Sequence, residues 1–203
     1  MSETAPILLS FYALCNGKKC LFTGQLTYSS LRDFSFKSYS SRKTFRTILA
    51  LYRTRFFANQ PITLRFNEGL TYTTTDASGS FFCTANIVSN QTSLEDIILH
   101  NGEHVRIIED LYTRKIHFID TPVIVVSDID DTLLHSNISN RLLKFRTLMF
   151  TSMENRKAVE SMKNLIRELH QTGAAGFYVS NTEQNLYPLI YRFLLHNGFS
   201  PGP

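Results

Sequence analysis

The spacing of apolar residues changes period near residue 120. Upstream of it, apolar and polar positions tend to alternate. After Pro61, Ile62, Leu64 and Phe66 point one way and Thr63, Arg65 and Asn67 the other, the period of a strand with one buried face. Strands are also predicted over 11–14 and 21–28, separated by the turn pair Asn16-Gly17. Residues 70–75 and 80–85 are β-rich and flank Asp76-Ala77-Ser78-Gly79, so they are expected to pair as a hairpin. Further strands are predicted over 105–110 and 115–119. One helix interrupts the series: Ser40 and Ser41 can cap it, and Phe45, Ile48, Leu49 and Tyr52 then share a face. Many short strands with turn signals predict a small β-sandwich domain over residues 1–119, carrying one basic helix.

Downstream the pattern is different. Val123, Ile124, Val125 and Val126 form an unbroken β-branched run after Pro122, the pattern of a strand buried on both faces of a parallel sheet. Residues 140–150 are rich in Leu, Phe and Met. A helix is predicted over 156–170, with Val159, Met162, Leu165, Ile166 and Leu169 as its apolar stripe, Arg156, Lys157, Lys163 and Arg167 outside it, and Gly173 as its stop. A second short strand, 176–180, and a helix over about 185–196 follow, with Leu189, Phe193 and Leu194 inward. Strand, helix, strand, helix is a βαβα unit, which requires a parallel sheet. The expected fold is therefore α/β over 120–203, preceded by the sandwich.

Composition narrows the class without naming it. An apolar fraction of 43% with 16 Phe and 9 Tyr supplies a packed core. No apolar run reaches the ~20 residues that span a bilayer. The N-terminus carries an acid where a signal peptide carries positive charge, so a cytoplasmic protein is expected. Cys15, Cys20 and Cys83 have no metal spacing; a Cys15–Cys20 disulfide is compatible with the sequence, but free buried thiols are expected. A net charge of +4 does not argue for nucleic acid. The distribution says more: Lys37, Arg42, Lys43, Arg46, Arg53, Arg55 and Arg65 fall between Phe34 and Asn67, where there is no acid. That segment can be a solvated face or a surface for anionic headgroups or a partner protein.

The chemistry concentrates at Ser127-Asp128-Ile129-Asp130-Asp131-Thr132, where the apolar run stops. Acids at the carboxyl end of such a strand sit where open α/β sheets bind ligands. Like charges held together call for a cation, and hard carboxylate oxygens suit Mg²⁺. In phosphoryl transfer, Asp128 can be the nucleophile and Asp130 the general acid and base. Ser180, at the tip of the second strand, can hydrogen-bond a phosphoryl oxygen if the two strands are neighbours. The loop lacks the Gly and the later Glu of an EF-hand. His100, His104 and His117 are scattered and form no ligand set.

The string Val-Ile-Val-Val-Ser-Asp-Ile-Asp-Asp-Thr resembles the first motif of the haloacid dehalogenase superfamily. Ser-Asp-Ile-Asp-Asp-Thr (127–132), Gly-Phe-Tyr-Val-Ser-Asn (176–181), Asn-Leu-Tyr-Pro (185–188) and Gly-Phe-Ser-Pro-Gly-Pro (198–203) are more narrowly similar to the actin-patch-associated phosphatidate phosphatase family, as is Thr75-Asp76-Ala77-Ser78-Gly79-Ser80-Phe81. The resemblance implies a partial haloacid-dehalogenase-like (Rossmannoid) sheet and a Mg²⁺-dependent phosphatase. Its substrate would be phosphatidate at a membrane surface or a related phosphoester, and an aspartyl-phosphate its intermediate. It assigns Asp128 as nucleophile, Asp130 as acid/base, Ser180 and Thr132 as phosphate ligands, and Asp128 and Asp130 as metal ligands. Where that family has a Ser-Pro-Trp-like run, this chain has Asn181-Thr182-Glu183-Gln184. The superfamily's third-motif Lys or Arg and fourth-motif acids lie further downstream than the 23 residues that follow Ser180 here, so weak or absent turnover is expected. The alternative function is a non-catalytic membrane- or partner-binding module built on the basic β-rich domain.

Overall fold

In the computed structural model, described over residues 5–29, 41–86, 92–108, 111–130, 132–134, 156 and 158–199, the chain is a mixed α/β protein. It clusters into two compact units: residues 1–33 with 53–120, and 34–52 with 121–203.

The first unit is built on the hairpin of β1 (Ala5–Cys15) and β2 (Cys20–Ser29), antiparallel with a bulge between Leu8 and Ser10. Both strands run longer than alternation predicts, because Ile7, Leu8, Leu9, Phe11, Phe22 and Leu26 are all fully buried. On β2 pair β3 (Arg55–Phe56) and, after β4 (Pro61–Phe66) and β5 (Gly69–Thr74), also β6 (Ser80–Ala85). A second sheet has the order β5, β4, β7 (Leu94–Leu99). Two short strands, β8 (Arg106–Ile107) and β9 (His117–Phe118), lie parallel to β1. The buried rings of Phe22 on β2 and Phe66 on β4, 4.5 Å apart, join the two sheets.

Two expectations are corrected here. The segments 70–75 and 80–85 are not a hairpin: β5 pairs with β4 and β6 with β2, so the turn between them carries the chain from one sheet to the other. Asp76 organises that corner. Its Oδ1 accepts from the Ser78 N–H at 2.7 Å, the Ser78 hydroxyl at 2.7 Å and the Ser80 N–H at 2.9 Å. Cys15 and Cys20 are joined by a disulfide, not free. They face each other as the last cross-strand pair of the β1–β2 hairpin, a proximity that sequence spacing alone did not reveal. Cys83 is the free thiol, and burial pushes its pKa up to about 11.

The second unit contains α1 (Ser41–Tyr52), β10 (Ile124–Asp128), α2 (Glu160–Gln171), β11 (Ala175–Val179), a 3-10 turn (Gln184–Leu186) and α3 (Tyr187–His196). The basic helix expected in the β-rich domain therefore clusters with the α/β unit. β10 and β11 pair in parallel, Ile124 opposite Ala175 through Asp128 opposite Val179, with α2 in the crossover. Both later helices stop on glycines at positive φ. Gly173 and Gly198 donate to the carbonyls of His170 and Leu195, and the following residues, Ala174 and Phe199, to Leu169 and Leu194. That reciprocal pattern satisfies carbonyls no further helical turn could reach. It also turns Phe199 inward onto Phe193, ring centroids 6.1 Å apart.

β10 is not buried on both faces. Val125 and Ser127 face inward, but Ile124 and Val126 are 54% and 63% exposed, and Val179 on β11 is 51% exposed. Among the described residues one strand pairs with β10 and one face of the pair is covered. The predicted stripe of α2 is narrower than expected for the same kind of reason: Ile166 is buried, Met162 and Leu169 half-buried, and Leu165 exposed. Residues 140–150 lie outside the described set. No described helix is long and apolar enough to cross a membrane.

Candidate functional site

Parallel pairing brings the two strand tips together. The pairing continues past the named strands: the Ile129 N–H donates to the Val179 carbonyl at 3.1 Å. Asp128 ends β10 with an exposed side chain. Asp130 is half-buried, and the chain then turns sharply, Leu133 and Leu134 both donating backbone N–H groups to the Ile129 carbonyl at 3.0 Å. This turn buries Leu133 and Leu134 under the acids and leaves Thr132 half-buried within it. Asp131 lies outside the described residues.

Ser180 follows β11 directly, and its hydroxyl donates to Asp130 Oδ2 at 3.2 Å. The Thr182 hydroxyl donates to the same oxygen at 3.4 Å, and the Thr182 backbone N–H donates to Ser180 Oγ at 3.1 Å. The Thr182 amide thus occupies the lone-pair side of Ser180 Oγ, which directs the Ser180 proton at the carboxylate. Both hydroxyls converge on one carboxylate oxygen. Of the residues singled out from the sequence, Asp130 and Ser180 touch; Asp128 stands at the same tip, facing outward.

The loop carrying Ser180 and Thr182 is anchored from below. Asn185, 3% exposed, donates its side-chain amide to the Leu51 carbonyl at 3.1 Å, which ties the 3-10 turn to the last turn of α1. Burial raises the Tyr52 pKa, with a further push from the charge of Glu183 in the same loop.

Sequence reasoning missed one further buried charge, in the same cavity lining as Asp130. Arg156 was set with the solvent-facing cations of a helix beginning there, but α2 starts at Glu160. Ala158 and Val159, just ahead of it, are extended instead: Ala158 bridges to Leu134, and the Val159 N–H donates to the Leu133 carbonyl at 2.9 Å. Arg156 is left 6% exposed. Burial pulls its pKa down to about 10, against the opposing pull of the Asp130 charge. Arg156, Asp130 and Thr182 line a small cavity of about 30 Å³, whose other walls include Leu134, Leu186 and Phe193. A helical period cannot signal an arginine that lies ahead of the helix and is buried. The hydroxyl at Thr182, two residues after Ser180, was legible as a polar neighbour but not as a partner of Asp130.

Elsewhere the predicted polar groups have ordinary partners. His104 Nδ1 lies 2.7 Å from Asp96 Oδ2, which also meets Arg65 at 3.4 Å; His117 stacks on Tyr12; His100 is exposed. Arg42 and Arg46 are exposed on α1 in the second unit, whereas Arg53, Arg55 and Arg65 belong to the first, so the basic segment is divided between units. Among the described residues no three His, Cys, Asp or Glu side chains cluster as a metal site.

Asp130 and a serine hydroxyl thus meet at the adjacent tips of two parallel strands in the α/β unit, with Asp128 at the same tip. Residues 123–203 match the family model of the phosphatidate phosphatase APP1 catalytic domain. The match begins at β10 and covers both strand tips, α2 and α3. No curated protein matches the chain.

Proposed function

We propose that this chain is a phosphatidate phosphatase-like phosphomonoester hydrolase, with a haloacid-dehalogenase-like site in its second unit. The observation that carries the proposal is the hydrogen bond from Ser180 to Asp130, which joins the two motif-bearing strand tips within the matched region. Asp128, exposed and unencumbered by the Ser180–Thr182 network, is the nucleophile. Its carboxylate attacks phosphorus, and the bond to the ester oxygen breaks with its electron pair going to the leaving group, which takes a proton from Asp130. Asp130 then removes a proton from water as the water oxygen attacks phosphorus, and the bond from phosphorus to Asp128 breaks, restoring the carboxylate. Ser180 and Thr132 hold phosphoryl oxygens.

Mg²⁺ belongs to the same proposal. Asp128 and Asp130 are two hard-oxygen donors in one loop, and Mg²⁺ is commonly bound by one or two carboxylates with water in its other positions. It would supply charge neutralisation between nucleophile and phosphate. The substrate proposed is phosphatidate or a related phosphomonoester, met at a membrane surface from the cytoplasmic side.

Phosphate release from phosphatidate in mixed micelles and from p-nitrophenyl phosphate, with and without Mg²⁺, tests the assignment. Asp128→Asn should lower turnover by at least about 100-fold, the order expected for loss of a nucleophile. Its urea midpoint should not move, since the side chain is exposed. Turnover that survives Asp128→Asn overturns the mechanism.

A further inference from the structure

Thr182 has no part in the mechanism above, yet both of its donors point at the groups that do. Its backbone N–H donates to Ser180 Oγ at 3.1 Å and its hydroxyl to Asp130 Oδ2 at 3.4 Å. Asn181 and Glu183 on either side are exposed, whereas Thr182 is half-buried. It shares the lining of the small cavity with Asp130, Leu134, Leu186 and Leu189. Against apolar walls, a hydrogen bond to a carboxylate oxygen is stronger than at an open surface, where water competes for both partners.

The two donors have different effects. An N–H on Ser180 Oγ fixes the oxygen and leaves the hydroxyl proton free to rotate about the Cβ–Oγ bond. That proton rests on Asp130 Oδ2, with the oxygens 3.2 Å apart. When it turns to a phosphoryl oxygen, the serine oxygen stays in place, but Asp130 gives up a donor at the step in which it serves as acid. The Thr182 hydroxyl remains on Oδ2 and keeps the carboxylate oriented. Thr suits this task because its β-branch confines χ1, so little rotamer freedom is lost in aiming the hydroxyl. The loop is also held from its far side: the Leu186 N–H donates to the Glu183 carbonyl at 2.9 Å, and the Asn185 side chain to the Leu51 carbonyl at 3.1 Å.

We propose that Thr182 is a positioning residue, its N–H fixing Ser180 Oγ and its hydroxyl holding Asp130 Oδ2 when the Ser180 proton turns to the phosphoryl group. The catalytic consequence rests on the phosphatase proposal; the two contacts do not.

The test uses the full chain with Thr182→Val, which removes the hydroxyl and keeps the shape, and Thr182→Ser, which keeps the hydroxyl. With p-nitrophenyl phosphate, Thr182→Val should lower kcat about tenfold with KM changed by less than about threefold, and Thr182→Ser should recover most of kcat. An unchanged kcat, a Thr182→Ser no better than Thr182→Val, or a loss confined to KM overturns the positioning role. The contacts are read separately by NMR, without substrate and with Thr182 intact. Ser180→Ala removes the acceptor and should speed exchange of the Thr182 amide by at least about tenfold. Asp130→Ala should change the Thr182 three-bond couplings from those of one χ1 rotamer to an average. Amide exchange unmoved by Ser180→Ala, or couplings unmoved by Asp130→Ala, removes one of the two contacts and overturns the proposal even where Thr182→Val does not fold. If the wild-type chain releases no phosphate, the phosphatase proposal fails, and the NMR readings still decide the contacts.

Discussion

Asn185→Ala probes the contact that ties the motif loop to α1. The last carbonyls of a helix have no intrahelical donor, and the Leu51 carbonyl is one of these in α1. The Asn185 side-chain amide reaches it at 3.1 Å from a site only 3% exposed. Truncation removes that hydrogen bond, a contact worth about 0.5–1.5 kcal/mol. The void left by the missing amide, roughly 30 Å³ at about 24 cal/mol per Å³, adds about 0.7 kcal/mol. Part of this is returned, because Asn185 Oδ1 is itself buried without a hydrogen bond and disappears with the substitution. The net expectation is about 1 kcal/mol. With a urea slope of about 2 kcal/mol per M, the midpoint should fall by about 0.5 M. Hydrogen exchange should localise the loss: amides of 41–52 and 180–186 should exchange faster, and those of β1 and β2 should not. A midpoint shift below about 0.25 M, with exchange in α1 unchanged, would refute the argument that Asn185 holds the loop to the helix.

Other consequences are open to direct measurement. Gly79 adopts φ +73° at the sheet-to-sheet corner, and a Cβ there would run into the Leu26 carbonyl and approach the Phe57 nitrogen at 3.0 Å. Gly79→Ala should destabilise by about 2–4 kcal/mol, from left-handed strain plus overpacking; a urea-derived loss under about 1 kcal/mol would contradict this packing. His117 is half-buried against Tyr12, and burial lowers its pKa from the ordinary 6.5. The unfolded chain therefore binds the proton more readily, so stability rises with pH between the lowered folded pKa and about 6.5, and is lost as pH falls through that window. His117→Phe should flatten this part of the stability–pH profile; an unchanged slope would place the titration elsewhere.

Much of the second unit was legible because its signals are local. An unbroken β-branched run ending in acids located β10, and a glycine-terminated apolar stripe located α2 to within a few residues. The strand before Ser180 and the helix carrying Leu189, Phe193 and Leu194 were equally plain, as was the parallel arrangement that any such alternation demands. In the first unit, alternation located β4, and β-rich runs flanking a turn located β5 and β6, but not which strand each would join. A hairpin between β5 and β6 and a corner between two sheets have the same turn sequence. β7 escaped notice, since Leu94-Glu95-Asp96-Ile97-Ile98-Leu99 alternates poorly; its Asp96 is drawn into a buried position facing Arg65 and His104.

The sequence by itself determined the chemistry available: Asp128, Asp130 and Ser180 at strand ends, and the helices that bring those ends side by side. Hydrogen-bonding capacity and hydrophobic period are written residue by residue, so they can be read without a partner. Tertiary structure alone decided which groups meet and which are dry. It left Ile124 and Val126 open to solvent, closed Cys15 onto Cys20, and grouped α1 with the α/β unit. It also gave Asp130 two hydroxyl donors and buried Arg156 beside it. Each of these depends on a neighbour supplied from elsewhere in the chain, and burial, unlike period, is a property of the pair.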